Sequence, residues 1–410
     1  MIESGVMPKT GAIASRGRIA PMTVSLPEIS SVSWSTFMTG KDPGGHGIFG
    51  FTDFKDSSYA LRYPSFRDLG TRTIWDALGE RGMRSVVINQ PATYPARPIP
   101  GLLISGFVAL ELEKAVSPVS YLPTLKRMGY EIDLDAARCK ENARELFSSL
   151  RALLAARQAV LDDLWERESW NLMEIVVTGT DRLHHFMWDA YEDARHPHHE
   201  DFLSYYRSVD DFIGRILDAF QRTCGDGGFF ILSDHGFCGS RKEVNVNAVL
   251  RKEGFLDLPE GASSLEGVTE ATKAFALDPA RIYLNRKGAF PRGSVGTEDE
   301  RPLLEDLAAV FDALEAGGEK IVRRIVTGDE AYSGPFARSG PDLLLVPRNG
   351  FDLKGRPGAG ETIGDRRFQG MHTWDDAFFL SLDASVIADC GELTIVDAPK
   401  RILRSLDVER

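Results

Sequence analysis

Four short apolar runs, each closing on polar residues, punctuate the chain: SVVINQP (85–91), LMEIVVTGTD (172–181), GFFILSDHG (228–236) and DLLLVPR (342–348). Continuous β-rich runs of this length suit strands covered on both faces, as in a parallel sheet between helices. Between them the period changes. ARELFSSLRALLAARQAVLDDLWER (143–167) and DFLSYYRSVDDFIGRILDAFQR (201–222) carry apolar residues at helical spacing, the pattern of amphipathic helices laid on a sheet. The expected class is α/β with a central, mostly parallel sheet.

Two stretches break the rhythm. Residues 101–140 are mixed and contain prolines, so 101–164 reads as part insertion and part core helix. Residues 246–340, through AVLRKEGFL, ARIYLNRKGAFPRGS and ERPLLEDLAAVFDALEAGG, read as a small α+β cap insertion before the sheet resumes at 342. The core is thereby assigned to 1–100, 165–245 and 341–410. No internal repeat or low-complexity tract interrupts it.

Composition narrows the partners. With 410 residues, 43% of them hydrophobic, the chain can bury a large core. A net charge of −12 without a Lys/Arg block argues against a nucleic-acid-binding surface or adhesion to anionic lipid, and favours small-molecule chemistry. No apolar run approaches the ~18 residues of a membrane span, and no basic-then-apolar leader opens the chain. A soluble, cytoplasmic protein without membrane contact is expected. Cys139, Cys224, Cys238 and Cys390 lie far apart without a CxxC pair, so buried, reduced thiols are expected rather than a disulfide or thiolate-metal framework. HPHHE (196–200) reads as an exposed loop.

The chemistry concentrates where the apolar runs end. Asp181 follows one run and His185 follows four residues later, a spacing that puts carboxylate and imidazole on one helical face. His184 adjoins them but breaks that spacing. The run GFFILSDHG ends in Asp234 and His235, with Gly236 permitting a sharp turn. Either pair alone would be an ordinary cap or surface hydrogen bond. Two pairs, joined by His372 in QGMHTWDD, point to metal. Asp and His without Cys favour zinc, manganese or iron. Upstream, Pro27 precedes ISSVSWSTFMTG, whose later part reads as a helix ended by Gly40 and Pro43. A serine at its start would sit where backbone N–H groups and the helix dipole receive an anion such as a phosphate ester. The alternative is that Ser30 or Ser31 only caps the helix.

Together, the TG-x-x-P-x-x-HGIFGF run (39–51), GTDRL-x-HF (179–186), SDHGF (233–237) and the late G-x-H (370–372) resemble the type I phosphodiesterase/nucleotide pyrophosphatase branch of the alkaline phosphatase superfamily. The resemblance covers most of the chain. It implies an alkaline-phosphatase-like three-layer sandwich with a cap over two divalent ions, zinc foremost, with manganese and iron as alternatives. By position, Asp181, His185 and His372 would hold one ion, and Asp234 and His235 the other. The nucleophile stands ten residues before the Gly of the TG motif, at Ser30, with Ser31 as fallback. Ser33 occupies the place of a substrate-binding Asn found in some relatives, and His46 reads as loop support. The implied reaction is hydrolysis of a small-molecule phosphate ester or nucleotide through a phospho-serine, with monoesters and phosphonates as variants.

Relatives begin with an apolar strand ending in Asp-Gly, whose Asp is a ligand of the second metal. Here Met1 falls after that point, and Glu3 and Glu28, the acids before Asp42, stand at no matching position. A chain lacking that strand is expected to leave neighbouring strands with an unpaired edge and exposed apolar surface. The corresponding alternative is a non-catalytic binding protein with an impaired second site. A sulfatase would need a Cys/Ser-x-Pro-x-Arg motif, which SSVSW lacks, and the serine context of a cofactor-independent phosphoglycerate mutase is likewise missing. Neither GxSxG nor GxxxxGK[ST] occurs.

Overall fold

The computed structural model describes residues 1–225, 228–388 and 391–408. The chain opens with helix α1 (Pro8–Arg16), strand β1 (Arg18–Thr23) and helix α2 (Ser30–Thr39). Strand β2 (Ser85–Gln90) follows, then helix α3 (Ala143–Arg167), strand β3 (Leu172–Ile175), and helices α4 (Gly179–Glu192) and α5 (His199–Cys224). Strand β4 (Phe230–Leu232) and the late strand β5 (Ala377–Ser381) complete the framework. α3 starts where the Asn142 side chain accepts the Glu145 N–H, and one face buries Leu146, Leu150, Leu153, Val160 and Leu164. Arg157 on that face is also buried, its guanidinium satisfied by the Glu131 carbonyl (2.7 Å) and Asn89 Oδ1 (3.0 Å).

The central sheet comes in two halves. In one, β2 lies between Gly101–Ser105 and β3, all parallel, and Val116–Ser117 adds an antiparallel edge. In the other, β5 lies between β1 and β4, antiparallel to both, and Leu393–Thr394 runs parallel to β1. Parallel pairing therefore dominates in one half only. β3 terminates the first half and β4 the second, each paired on one side among the described residues. The strands belong to separate apolar clusters, Val86, Ile88 and Leu102 packing on α3 and α5, and Met22, Phe379 and Ile387 packing near α2.

Two segments pair differently from their sequence reading. Gly101–Ser105, inside a stretch that reads as irregular, is a core strand beside β2; the prolines around it lie outside its hydrogen-bonded span. Leu343–Pro347 does not return to the central sheet. It pairs with Arg281–Leu284 and Val322–Thr327, in a second body whose core gathers Val244, Phe275, Ile282, Leu307 and Leu345. A doubly covered strand looks alike in either sheet, so apolar content alone does not choose its partner.

The cysteines Cys139, Cys224 and Cys238 are free thiols. Cys139 is buried as expected, but Cys224 is exposed because it is the last residue of α5, beside the terminating Gly225. Cys390 lies outside the described residues. Among the described residues no helix is long and apolar enough to cross a membrane.

Phe379 is the middle of the second half-sheet, fully buried and stacked on Phe230 at 5.6 Å. Phe379→Ala is expected to cost about 3–5 kcal/mol, read as a lower urea midpoint at unchanged slope; a loss under about 1 kcal/mol would show that this half contributes little to the cooperative core.

Candidate active site

Ile29, in extended conformation, precedes the first turn of α2, and its carbonyl accepts the N–H groups of Val32 and Ser33, both at 3.0 Å. The N–H groups of Ser30 and Ser31 thus precede the first helical bonds, where an anion is favoured. Gly40 closes the helix at φ 62°, a left-handed conformation suited to glycine. Beneath α2, buried His46 anchors the helix through a directed chain. Ile48 N–H donates to His46 Nδ1 (3.1 Å), His46 Nε2 donates to Thr36 Oγ1 (3.1 Å), and Thr36 donates to Ser25 Oγ (3.0 Å). Burial pushes the His46 imidazole down to about 3.

Asp181 and His185 share one face of α4, ahead of a break in helical geometry at Met187. His372 comes from Gly370–Thr373, which pairs with Gly236–Gly239. The His372 Nε2 lies 3.2 Å from Asp181 Oδ1 and 3.0 Å from His185 Nε2, and His185 Nε2 is 3.5 Å from the same carboxylate oxygen. The opposite ring nitrogens are committed elsewhere. His185 Nδ1 donates to the Gly370 carbonyl (3.0 Å) and His372 Nδ1 to the Glu28 carbonyl (2.9 Å). Each Nε2 therefore presents a lone pair, so three electron-rich atoms converge without a proton among them. That arrangement fits a cation. Burial raises Asp181, yet His185, His372 and Arg182 outweigh it and hold the carboxyl well below its usual range; burial lowers His185, and lowers His372 to about 3. The set is deprotonated near neutral pH, as ligation requires.

A second pair lies alongside. His235 Nδ1 faces the Gly236 carbonyl (3.1 Å), which leaves Nε2 to accept the Ser30 hydroxyl at 3.2 Å. The same Nε2 is 3.4 Å from Asp234 Oδ2 and 3.7 Å from Asp181 Oδ1, and the His235 and His372 rings stack with centroids 3.6 Å apart. Burial raises the Asp234 carboxyl, and its buried Oδ2 has no hydrogen-bond partner. An orphaned carboxylate oxygen beside an imidazole lone pair is a second, smaller donor set.

Thus Ser30, Asp181, His185, Asp234, His235 and His372 meet in one place. Ser31 does not match Ser30: its hydroxyl is buried and without a partner. Ser33 is a correction, since it is fully buried and Trp34, not Ser33, reaches the cleft wall from α2. His184 turns instead into an aromatic cluster, accepting the Tyr206 hydroxyl at 2.6 Å and stacking on Phe202. Gly236 serves close approach rather than a left-handed turn, because a Cβ there would collide with Asp376 and Thr373. In HPHHE, His198 pairs with Asp201 at 3.0 Å and His199 begins α5.

The site opens into a cleft of about 410 Å³ whose further walls the sequence reading missed: Phe51, Phe107, Lys140, Arg182 and Phe368. Arg182 lies over Phe107 (4.2 Å) and Lys140 over Phe368 (5.0 Å). Phe51 belongs to the GIFGF run and could have been suspected; Lys140 and Phe368 carry no motif.

Residues 1–375 match the family model described as type I phosphodiesterase/nucleotide pyrophosphatase. A search of curated protein sequences gives no match. Among solved structures, phosphonoacetate hydrolase from Sinorhizobium meliloti, in complex with phosphonoacetate, is 15% identical with a TM-score of 0.64, covering 100% of this chain and 91% of that one. Wild-type alkaline phosphatase PafA is 12% identical (TM-score 0.54; 95% and 88% covered). Murine ectonucleotide pyrophosphatase/phosphodiesterase 5, an inactive form in complex with AMP, is 14% identical (TM-score 0.56; 98% and 90% covered). These likenesses show a shared alkaline-phosphatase-like fold.

The state of His46 has a consequence for stability. Between its unfolded value of about 6.5 and its folded value of about 3, the unfolded chain binds more protons, so stability falls as pH drops through that window. At pH 4.5 the loss from this one residue is about 2.7 kcal/mol relative to pH 7. Urea unfolding at the two pH values is expected to show a smaller drop for His46→Gln than for the unaltered chain; equal drops would mean that His46 is charged in the folded state.

Proposed function

Because this chain belongs to the type I phosphodiesterase/nucleotide pyrophosphatase family, we propose that its cleft hydrolyses phosphate esters through a phospho-serine formed on Ser30. One observation carries the reading: the Ser30 hydroxyl, in the first turn of α2, donates to His235 Nε2 at 3.2 Å beside the convergent Asp181, His185 and His372. Asp181, His185 and His372 would hold one divalent ion, and Asp234 and His235 would give two donors to a second. Zinc is the first choice, with manganese and iron as alternatives. Such ions supply charge stabilisation for the attacking and leaving oxygens.

The chain's own groups do the rest. The first N–H groups of α2 and its dipole receive the phosphoryl oxygens. The Ser30 proton is directed at His235, which leaves oxygen lone pairs available for attack on phosphorus. Bond formation to Ser30 expels the leaving alcohol, and water then cleaves the phospho-serine and restores the hydroxyl. Phe51, Phe107 and Phe368 offer a flat apolar wall for the leaving group, which suits a nucleotide or aryl ester, and Lys140 adds a positive charge at the rim. A phosphonate substrate is the variant favoured by the phosphonoacetate hydrolase likeness.

Elemental analysis of the zinc-loaded chain is expected to find bound metal, falling by about one ion in His372→Ala; no bound metal in the unaltered chain would overturn the reading. On a bis-aryl phosphodiester, Ser30→Ala is expected to lower kcat on the order of 10³-fold or more at unchanged metal content. Acid quenching of the unaltered enzyme should leave phosphate on Ser30. Full activity in Ser30→Ala would remove the serine from the mechanism.

A further inference from the structure

The two half-sheets end at β3 and β4, and one cavity of about 810 Å³ runs along both, bordered by residues 172–177 on one side and 230–235 on the other. The direction of the backbone groups follows from the bonds already made. In the first half, Leu172 N–H donates to the Arg84 carbonyl (3.2 Å) and Val176 N–H to the Ile88 carbonyl (3.0 Å). Alternate residues of a strand face opposite neighbours, so Met173 and Ile175 turn their N–H groups away from β2, to the cavity side. In the second half, Ser233 N–H donates to the Phe378 carbonyl (3.1 Å), and Leu232 by the same alternation faces the cavity. Apolar helices cover the slot, with Phe37 from α2 and Phe212 and Ile216 from α5.

We propose that this slot is a strand-acceptor site. It takes an extended apolar peptide segment of about five or six residues, hydrogen-bonded to β3 on one edge and to β4 on the other, so that the two half-sheets become one. The occupant is fixed by hydrogen-bond complementarity. A lipid or small apolar ligand would fill the volume but leave both rows of backbone groups unpaired in a dry site, which is costly. A helix, with a diameter of about 10 Å and its own backbone satisfied, offers these edges nothing. A second folded copy cannot reach strands that lie between helices. The bordering run of six residues corresponds to about 20 Å, the length of a common strand. Apolar side chains on both of its faces, and the absence of proline, complete the description of the partner.

The inference stands apart from the hydrolytic reading and its test does not use hydrolysis. The full chain is mixed with a Lys-flanked Val/Ile hexapeptide, or with the same peptide N-methylated at alternate residues, which keeps its apolar surface but removes half its donors. Hydrogen exchange followed by residue is expected to show saturable protection at Met173, Ile175 and Leu232 with the first peptide, together with a raised Tm. The methylated peptide should bind about tenfold more weakly, the cost of one or two hydrogen bonds. Failure of the first peptide to bind would overturn the proposal. So would equal binding of both without protection of these amides, which is adsorption alone. Concentration-dependent protection of the same amides without peptide would assign the edges to a second copy and overturn it as well.

Discussion

The hydrogen bond from His372 Nδ1 to the Glu28 carbonyl, 2.9 Å long, keeps the cleft in register. Glu28 lies two residues before Ser30, so this contact ties the late hairpin to the entrance of α2. It also sets the chemistry of the ring: with Nδ1 donating, Nε2 has a lone pair to offer. His185 is held in the same manner by the Gly370 carbonyl, two residues from His372 on the same strand. One short strand thus supplies a donor and orients another. The hairpin partner of His372 is Phe237, two residues past His235, which brings the second donor pair into the same frame. Four segments distant in sequence are fixed relative to one another by a few backbone carbonyls.

Electrostatics explains why metal donors and anion site belong together. The chain carries a net charge of −12, so its long-range field opposes capture of a phosphate ester. Within the cleft, Asp181 is held ionised and Asp234 lies beside it, which adds local repulsion. The helix dipole of α2 contributes at most about 2 kcal/mol in favourable geometry. Arg182 cannot reverse the balance by itself, because it is paired with Asp133 at 3.0 Å and faces Asp181. Cations held by the carboxylates turn a repulsive pocket into an attractive one. The same acids that would exclude the substrate become the reason that it can enter.

Legibility in the sequence followed physical distinctness. Helix α3 runs Ala143–Arg167, the span that its periodicity predicts, because a long amphipathic repeat with an Asn cap leaves little ambiguity. Asp181, His185, Asp234, His235 and His372 were visible because strand ends in an α/β sheet concentrate ligands and because their motifs resemble a known family. The partner of Leu343–Pro347 was not legible, since a fully buried strand carries no mark of which sheet it joins. Ser33 was misplaced by motif position, which says nothing about how the bulk of Trp34 divides the face of α2. Lys140 and Phe368 were invisible because they reach the cleft from segments with no pattern of their own.

The division of the sheet gives the site a structural role beyond chemistry. Asp181 and His185 follow the last strand of one half, whereas Asp234 and His235 follow the last strand of the other, and the described β3 and β4 are not paired with each other. Their donor atoms nevertheless approach within 3.7 Å, between His235 Nε2 and Asp181 Oδ1. A cation shared between these groups would be a cross-link between two packed bodies as well as a catalyst. Its binding energy would add to the stability of the joined form, as it does wherever a site draws ligands from elements that are weakly coupled without it. Holding Ser30 at 3.2 Å from His235 requires the same alignment, because α2 packs near one half while α4, which presents Asp181, follows the other. Catalytic geometry and the joining of the half-sheets are therefore one problem, and any interaction that fixes the relation of β3 to β4 also fixes the distance across which the nucleophile works.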